Sequence, residues 1–298
     1  MSGKDLTPTV VALGYFDSVH IGHRKVLERA KTLAAELGAT VTAFTFDGNL
    51  RAALSLKGDK FVYNLKERTE IFNELGIFDL FVQRVDFNFL SIAKLAFLNR
   101  LNKKMNIKAY VCGEDYKFGK FAKGTTEDLI KYANANGQRV EIVETLTDGG
   151  KKISSSRIKS LLAAGEIEAA NKLLARPYSF RGTVVKDRGV GATLGFPTAN
   201  LKVEKNKQPL KEGVYGGHLF IDGKEYKAVI NFGRRPTFDN NDFMIEAHVL
   251  DYSGDLYDKT ITLFFDFFIR ETRKFLSAEE LQKQISFDAE KVKNGGAG

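Results

Sequence analysis

The sequence predicts an α/β chain in two parts, a doubly wound parallel sheet at the N-terminal end and an antiparallel β-barrel with a closing helix at the C-terminal end. Three observations carry this reading. Through about residue 146, short apolar runs alternate with amphipathic segments of helical period, the pattern of strands joined by crossover helices. From Tyr178 onward the apolar runs take on strand character with turn signals between them, the pattern of an antiparallel sheet. Finally, 298 residues that are 43% hydrophobic can fill two cores of ordinary size.

In chain order, "TVVALGYF" reads as a buried strand, "HRKVLERAKTLAAELG" as the helix after it, stopped near Gly38, and "ATVTAFTF" as the next strand. Then "LKERTEIFNELG" is a helix, "IFDLFVQRV" a strand, "SIAKLAFLNRLNKKM" a helix and "IKAYVCG" a strand. Residues 125 to 137 form a further helix before "QRVEIVETL". The segment "ISSSRIKSLLAAGEIEAANKLLARPYSF" reads as a helix broken near Gly165 and a second, shorter helix ending before Pro177. The change of period there puts the domain boundary near 175, giving domains 1–175 and 176–298. In the second, "GVYGGHLFIDGKEYKAVINFG", "FMIEAHVLDY" and "KTITLFFDFFIRE" are strands, with "IDGK" a hairpin turn. "SAEELQKQISFDAEKVK" is the closing helix, with Ser277 as N-cap and Glu280 at the capping-box position.

A net charge of +8 suits an anionic partner. The basic residues are dispersed among acidic ones without zinc-finger spacing, so nucleic acid is the secondary reading and a nucleotide or other small anion the first. The single cysteine, Cys112, allows no intrachain disulfide and fits a reducing compartment. "MSGKDLTPTV" lacks a signal core, and no apolar run reaches membrane-spanning length. The expectation is a soluble cytoplasmic protein without membrane contact; self-association is left open.

The stretch "GYFDSVHIGH", Gly14 to His23, holds two of the four histidines where a strand meets a helix. Three readings stand on the residues alone. One histidine caps or packs the turn; the pair binds a metal; or the imidazoles donate to phosphate at a helix N-terminus. The glycines do not make a dinucleotide fingerprint. In the other half, "GATLGFPTANL", Gly191 to Leu201, puts Thr198 and Asn200 on one side of an extended segment. It is either an ordinary glycine loop entering a strand or a phosphate site, and it is not a Walker A loop.

"GYFDSVHIGH", "CGEDYKFGKFAKG" (112–124) and "ISSSRIK" (153–159) resemble, in order, the nucleotidyltransferase motifs of bacterial bifunctional riboflavin kinase/FAD synthetases. "LGFPTAN", "GVYGG", "NFGRRPTF", "IEAHVLDYSGDLYDK" and "IRETRKF" resemble the riboflavin kinase part of the same family. The resemblance implies a nucleotidyltransferase-like sheet domain, an FMN adenylyltransferase that joins ATP and FMN into FAD, and a riboflavin-kinase-like barrel. Mg2+ is implied with ATP, and riboflavin, FMN and FAD as substrates or products.

By the same resemblance, His20 and His23 lie beside the ATP phosphates, with Gly14, Phe16, Asp17 and Gly22 in the same binding motif. Ser155, Ser156 and Lys159 form the later phosphate motif, Lys159 standing where an arginine is common. Arg157 either points into the site or covers its helix, and Asp115, with Tyr116 and Phe118, shapes the flavin side or, for the aromatics, the core. A further departure is "TFDGNLRAAL", which lacks the family's proline- and histidine-containing loop, so FMN contacts around Asp47–Asn49 are not carried over. In the kinase half the resemblance assigns Gly195 to the nucleotide loop, Thr198 to the nucleotide-bound Mg2+, Asn200 to phosphate or the metal shell, and Glu246 to the general base. His248 is expected to be structural. Ala192 stands where a basic residue is common, which sets an adenylyltransferase with a weakened kinase, and a non-enzymatic flavin-binding module, beside the leading bifunctional reading.

Overall fold

A computed structural model describes residues 6–48, 60–186, 196–234 and 243–296. The chain divides into two compact units, Met1–Arg157 and Ile158–Gly298.

The first unit is built on a parallel sheet of order β3-β2-β1-β4-β5, comprising β1 (Pro8–Leu13), β2 (Thr40–Asp47), β3 (Asp79–Arg84), β4 (Asn106–Gly113) and β5 (Arg139–Val143). This is the expected doubly wound arrangement. Val10, Val11 and Ala12 of the central strand are fully buried, because crossover helices cover both faces of such a sheet. The helices are α1 (Ile21–Glu36), α2 (Leu65–Glu74), a one-turn α3 (Phe87–Leu90), α4 (Lys94–Lys104) and α5 (Thr126–Ala135). Asn64 and Thr125 close full capping boxes with Glu67 and Asp128, each cap contributing about 1 kcal/mol. The helix foreseen from Ser91 starts later, at Lys94.

The chain steps outward from β1 to β3, then returns to place β4 on the other side of β1. The loops after β1 and β4 therefore diverge, leaving a crevice at their carboxyl ends. A short hairpin, β6 (Thr147–Asp148) with β7 (Lys151–Lys152), follows β5. Gly149 and Gly150 at its tip have φ of 59° and 72°, the left-handed pair a two-residue turn requires.

Two helices follow, α6 (Ser155–Ala164) and α7 (Ile167–Leu174), separated at Gly165 as the sequence indicates. From Ile158 on they belong with the second unit. Leu162 O accepts from Lys211 N at 3.1 Å, and Asn171 Nδ2 donates to Phe265 O at 2.8 Å. The compact units thus divide between Arg157 and Ile158, with these helices packed onto the barrel strands of the second unit.

That unit is a closed barrel of order β10-β11-β12-β9-β8-β13. Its strands are β8 (Tyr178–Val185), β9 (Ala199–Lys202), β10 (Gly213–Ile221), β11 (Lys224–Arg234), β12 (Phe243–Val249) and β13 (Thr260–Arg270). Asp222 and Gly223 turn the β10–β11 hairpin at φ of 51° and 80°, as "IDGK" foretells. Ile230, Phe232, Ile245, Ala247 and Phe265 fill the interior. The closing helix α8 (Ala278–Lys293) covers Val214 and Val229 on the outer face through Ala289 and Val292. Its capping box is half formed. Ser277 Oγ accepts from Glu280 N at 3.2 Å, whereas Glu280 Oε2 reaches one residue further back, to Leu276 N at 3.1 Å.

Candidate active sites

The crevice between the ends of β1 and β4 opens into a cavity of about 320 Å³. Phe16 and Val19 turn the loop after β1 with φ of 52° and 42°, and such strain in non-glycine residues persists only when the surroundings impose it. Gly14 lies under the Phe16 ring, where a Cβ would stand 2.6 Å from Cζ, and Gly22 lies under His20, where a Cβ would stand 3.1 Å from Cε1. A side chain at Gly14 would displace the Phe16 ring, and one at Gly22 would press on the His20 ring.

His20 is the N-cap of α1, its Nδ1 accepting the His23 backbone N–H at 3.1 Å. The two rings stack with centroids 3.7 Å apart. Burial pushes the His20 pKa down to about 4, and burial, helped by His20 and Arg68, holds His23 well below the usual imidazole range. Both rings are thus neutral at pH 7. With Nδ1 of His20 used as an acceptor, its proton sits on Nε2, which is a donor. Capping and phosphate donation, set apart as rivals from the sequence, use different nitrogens of one ring.

A second helix end meets the same cavity. Ser154 Oγ caps α6 by accepting from Arg157 N at 3.2 Å, Ser154 and Ser155 line the cavity, and Ser155 Oγ meets Ser18 Oγ at 2.9 Å. Two helix N-termini facing one space favour an anion. Gly14, Phe16, His20, Gly22, His23, Asp115 and Ser155 all line this cavity.

Asp17, Ser156, Arg157 and Lys159 do not line it. Asp17 is buried and pins the neighbouring segment, Oδ1 accepting from Val62 N at 3.0 Å. Arg157 is turned onto the β6–β7 hairpin. Its Nη1 donates to Asp148 O at 3.1 Å and Lys151 O at 3.0 Å, and its Nη2 to Asp148 Oδ2 at 2.7 Å. The cations that do line the cavity are Lys117 and Lys152, the latter paired with Asp115. Sequence reasoning passed over Lys152, although "DGG" before it is a hairpin signal that would have brought it to the site.

A second cavity, of about 430 Å³, shares Phe46, Tyr116 and Lys117 with the first. The rest of its wall is apolar, with Phe89, Phe97, Phe118 and Phe121 prominent. Asp47 ends β2 with its carbonyl bound by Val85 N at 3.0 Å, and Asn49 lies outside the described residues. Phe121 falls within the motif "CGEDYKFGKFAKG", whereas Phe89 carries no motif; its clue was an aromatic-rich stretch, "FNFLSIAKLAF", after a strand end.

In the barrel, Glu246 lies on β12 directly opposite Asn200 of β9 and Asn231 of β11. Thr198 precedes β9, and Asn200 Nδ2 lies 3.4 Å from Thr198 Oγ1. The Asn200 Oδ1 is buried with no hydrogen-bond partner. Thr198 lines two cavities: one of about 320 Å³ with Glu246 and Asn231, and one of about 90 Å³ with Asp255 and Tyr257. His248 Nδ1 is bonded to Pro197 O at 3.0 Å, and His248 also lines the larger cavity. Arg270 also lines the larger cavity and grips the buried Asp288 of α8 through Nη2 at 2.8 Å and Nε at 3.0 Å. Arg234 pairs with Glu212 at 3.3 Å. Gly195 and Ala192 lie outside the described residues.

An anion-favouring sheet crevice beside an aromatic cavity, and a barrel with its own carboxylate-bearing cavity, give the chain two separate candidate sites, one in each unit. Residues 2–157 match the FAD synthetase family model and residues 174–295 the riboflavin kinase model. The chain belongs to the bifunctional riboflavin kinase/FMN adenylyltransferase family. It is 34% identical to the protein so named from Listeria monocytogenes, over 94% of this chain and 90% of that one. It is 33% identical to that of Bacillus subtilis, over 97% and 93%. A crystal structure described as a macrolide-efflux protein from Streptococcus pneumoniae superposes with a TM-score of 0.91 at 32% identity, covering 98% of this chain and 95% of that one. Among the described residues no helix is long and apolar enough to cross a membrane.

Proposed function

We propose that the barrel unit phosphorylates riboflavin to FMN and that the sheet unit adenylylates FMN to FAD, each consuming ATP. The observation that carries the second reaction is the join between an anion-accepting cavity and an aromatic one through Phe46, Tyr116 and Lys117. A ring system in the aromatic cavity and a triphosphate at the two helix ends would meet at that shared wall. There an oxygen of the FMN phosphate attacks the α-phosphorus of ATP, and the bond to pyrophosphate breaks. His20 Nε2–H and His23 donate to phosphate oxygens, and Lys117 and Lys152 offset charge on the leaving group. The chain's contribution is positioning and charge stabilisation.

In the barrel, Glu246 takes the proton of the riboflavin 5′-hydroxyl as that oxygen attacks the γ-phosphorus and ADP leaves. Mg2+ fits the residues present. The Asn200 Oδ1, buried with no hydrogen-bond partner, and the hydroxyl of Thr198 two residues before it are hard oxygen ligands of the kind this ion prefers. Bound there, it would offset charge on the nucleotide phosphates; Thr198 and Asn200 would hold it, and Glu246 remains the base.

Flavin-free protein given riboflavin with Mg-ATP should yield FMN and then FAD, and given FMN with Mg-ATP should yield FAD, with products separated by chromatography. FAD from supplied FMN alone would reduce the function to the adenylyltransferase with a silent kinase half. No product in either reaction would leave a flavin-binding module.

A further inference from the structure

Asn231, Glu246 and Asn200 stand in one row across β11, β12 and β9, each directly opposite the next. Neighbouring strands are about 4.8 Å apart, which puts the two amides on opposite flanks of the carboxylate. They cannot serve one ion at ligand distances of about 2 Å. Asn200 is engaged with Thr198 on the β9 side, and Thr198 lines both the smaller and the larger cavity. Asn231 is on the other side. It lines the larger cavity together with Glu246, and its Oδ1 is buried with no hydrogen-bond partner.

A buried amide oxygen without a donor is unfavourable, and whatever fills the cavity is the source of the missing donor. The remaining wall there includes Val214, Val229, Phe275 and Ile285, surfaces suited to an apolar ring. A substrate with its ring on that wall and its reacting hydroxyl at Glu246 must run its connecting chain along the row. Opposed side chains in such a row have Cβ atoms about 4.5–5.5 Å apart, a spacing that a polyol spans with hydroxyls on nearby carbons.

We infer that Asn231 determines specificity in the kinase half, its Oδ1 accepting a hydrogen bond from a ribityl hydroxyl and so holding the terminal hydroxyl at Glu246. The inference rests on the kinase reading of the barrel. It adds a residue that recognises the polyol chain rather than the ring or the nucleotide. No bond is made or broken at Asn231.

The test uses the full chain, the near-isosteric Asn231→Leu variant, and lumiflavin, which has the flavin ring with a methyl group in place of the ribityl chain. Phosphorylation kinetics give the riboflavin KM and the Ki of lumiflavin as a competitive inhibitor at the same site. Asn231→Leu should raise the riboflavin KM about tenfold or more while leaving the lumiflavin Ki within about twofold. The retained lumiflavin Ki reports that the barrel is intact, and FAD formation from supplied FMN that the sheet unit is. Asn231→Ser, which keeps a shorter acceptor, should lie between and gives the same ratio if the leucine variant is poorly folded. Parallel weakening toward riboflavin and lumiflavin would make Asn231 a wall residue and overturn the inference, as would unchanged constants. Failure of the wild-type chain to make FMN at all would instead sink the kinase reading itself.

Discussion

His20 caps the helix that carries His23, its Nδ1 receiving the His23 N–H at 3.1 Å while the two rings stack 3.7 Å apart. The arrangement needs neutral rings, since protonating His20 Nδ1 removes the acceptor and a second proton would set two cations face to face. The folded pKa of His20 is about 4 and that of His23 is also depressed, against about 6.5 in an unfolded chain. The unfolded state therefore takes up protons first as pH falls. The stability of the sheet unit is fully present above about pH 6.5 and declines toward pH 4. Thermal unfolding between pH 7.5 and 5 should show the loss. His20→Asn, which retains a capping oxygen but no titration, should flatten the slope and slow FAD formation about 100-fold. A slope of undiminished size in this variant would refute the assignment.

The barrel should respond in the opposite sense. His218 Nδ1 lies 2.8 Å from Asp266 Oδ2, its ring stacked on Phe264 with centroids 4.9 Å apart. The hydrogen bond to Asp266 raises the His218 pKa above its usual value, against the opposing effect of burial. This stabilisation is complete below the unfolded value of about 6.5 and is lost as pH rises through the higher folded one. Proton NMR of the His218 ring should give an apparent pKa above 6.5, and Asp266→Asn should bring it down. A His218 pKa at or below 6.5 in the wild-type chain would contradict the pairing.

Asp288 is 1% exposed and holds the Arg270 guanidinium in a fork, with Gln284 Nε2 donating to its other oxygen at 2.8 Å. Breaking such a pair from one side leaves a cation with no counter-charge, a loss of about 3 kcal/mol. Asp288→Ala should therefore destabilise the barrel by that amount in denaturant titrations. Because Leu281, Ile285 and Asp288 of α8 also wall the larger barrel cavity, the riboflavin KM should rise as well. FAD formation from FMN should be spared. A stability change below about 0.5 kcal/mol would show that the fork does not anchor α8.

Most of the architecture was legible because each element has a local cause. The helical and strand periods, the capping residues Asn64, Thr125 and Ser277, and the Asp222–Gly223 turn all act within a few residues of themselves. That His20, Gly22 and His23 line one cavity was legible for a similar reason, since they belong to one turn. What was hidden depends on pairing at a distance. Asn231 is a polar residue in a strand until β12 and β9 set Glu246 and Asn200 beside it. Arg157 looks like a phosphate ligand until the β6–β7 hairpin offers it two carbonyls and a carboxylate. The grouping of α6 and α7 with the barrel likewise follows from contacts such as Asn171 with Phe265, 94 residues apart.

Lys152 provides the sharpest test of the sheet site. Because His20 and His23 are neutral at pH 7, the positive charge that the cavity lining itself offers a triphosphate comes from the helix ends and from Lys117 and Lys152. Lys152 is paired with Asp115 across the same space, and Arg157 braces the hairpin that presents it. An incoming phosphate carries more charge than a carboxylate and would draw Lys152 away from Asp115. Lys152→Met should raise the ATP KM for FAD formation about tenfold, with riboflavin phosphorylation unchanged as the internal control. Arg157→Met, which loosens the hairpin but leaves Lys152 in place, should give a smaller rise in the same constant. Raising ionic strength should weaken ATP binding less in Lys152→Met than in the wild-type chain, since one screened charge has been removed. An ATP KM within twofold of wild type in Lys152→Met would leave the helix ends and Lys117 as the full source of charge and remove Lys152 from the site.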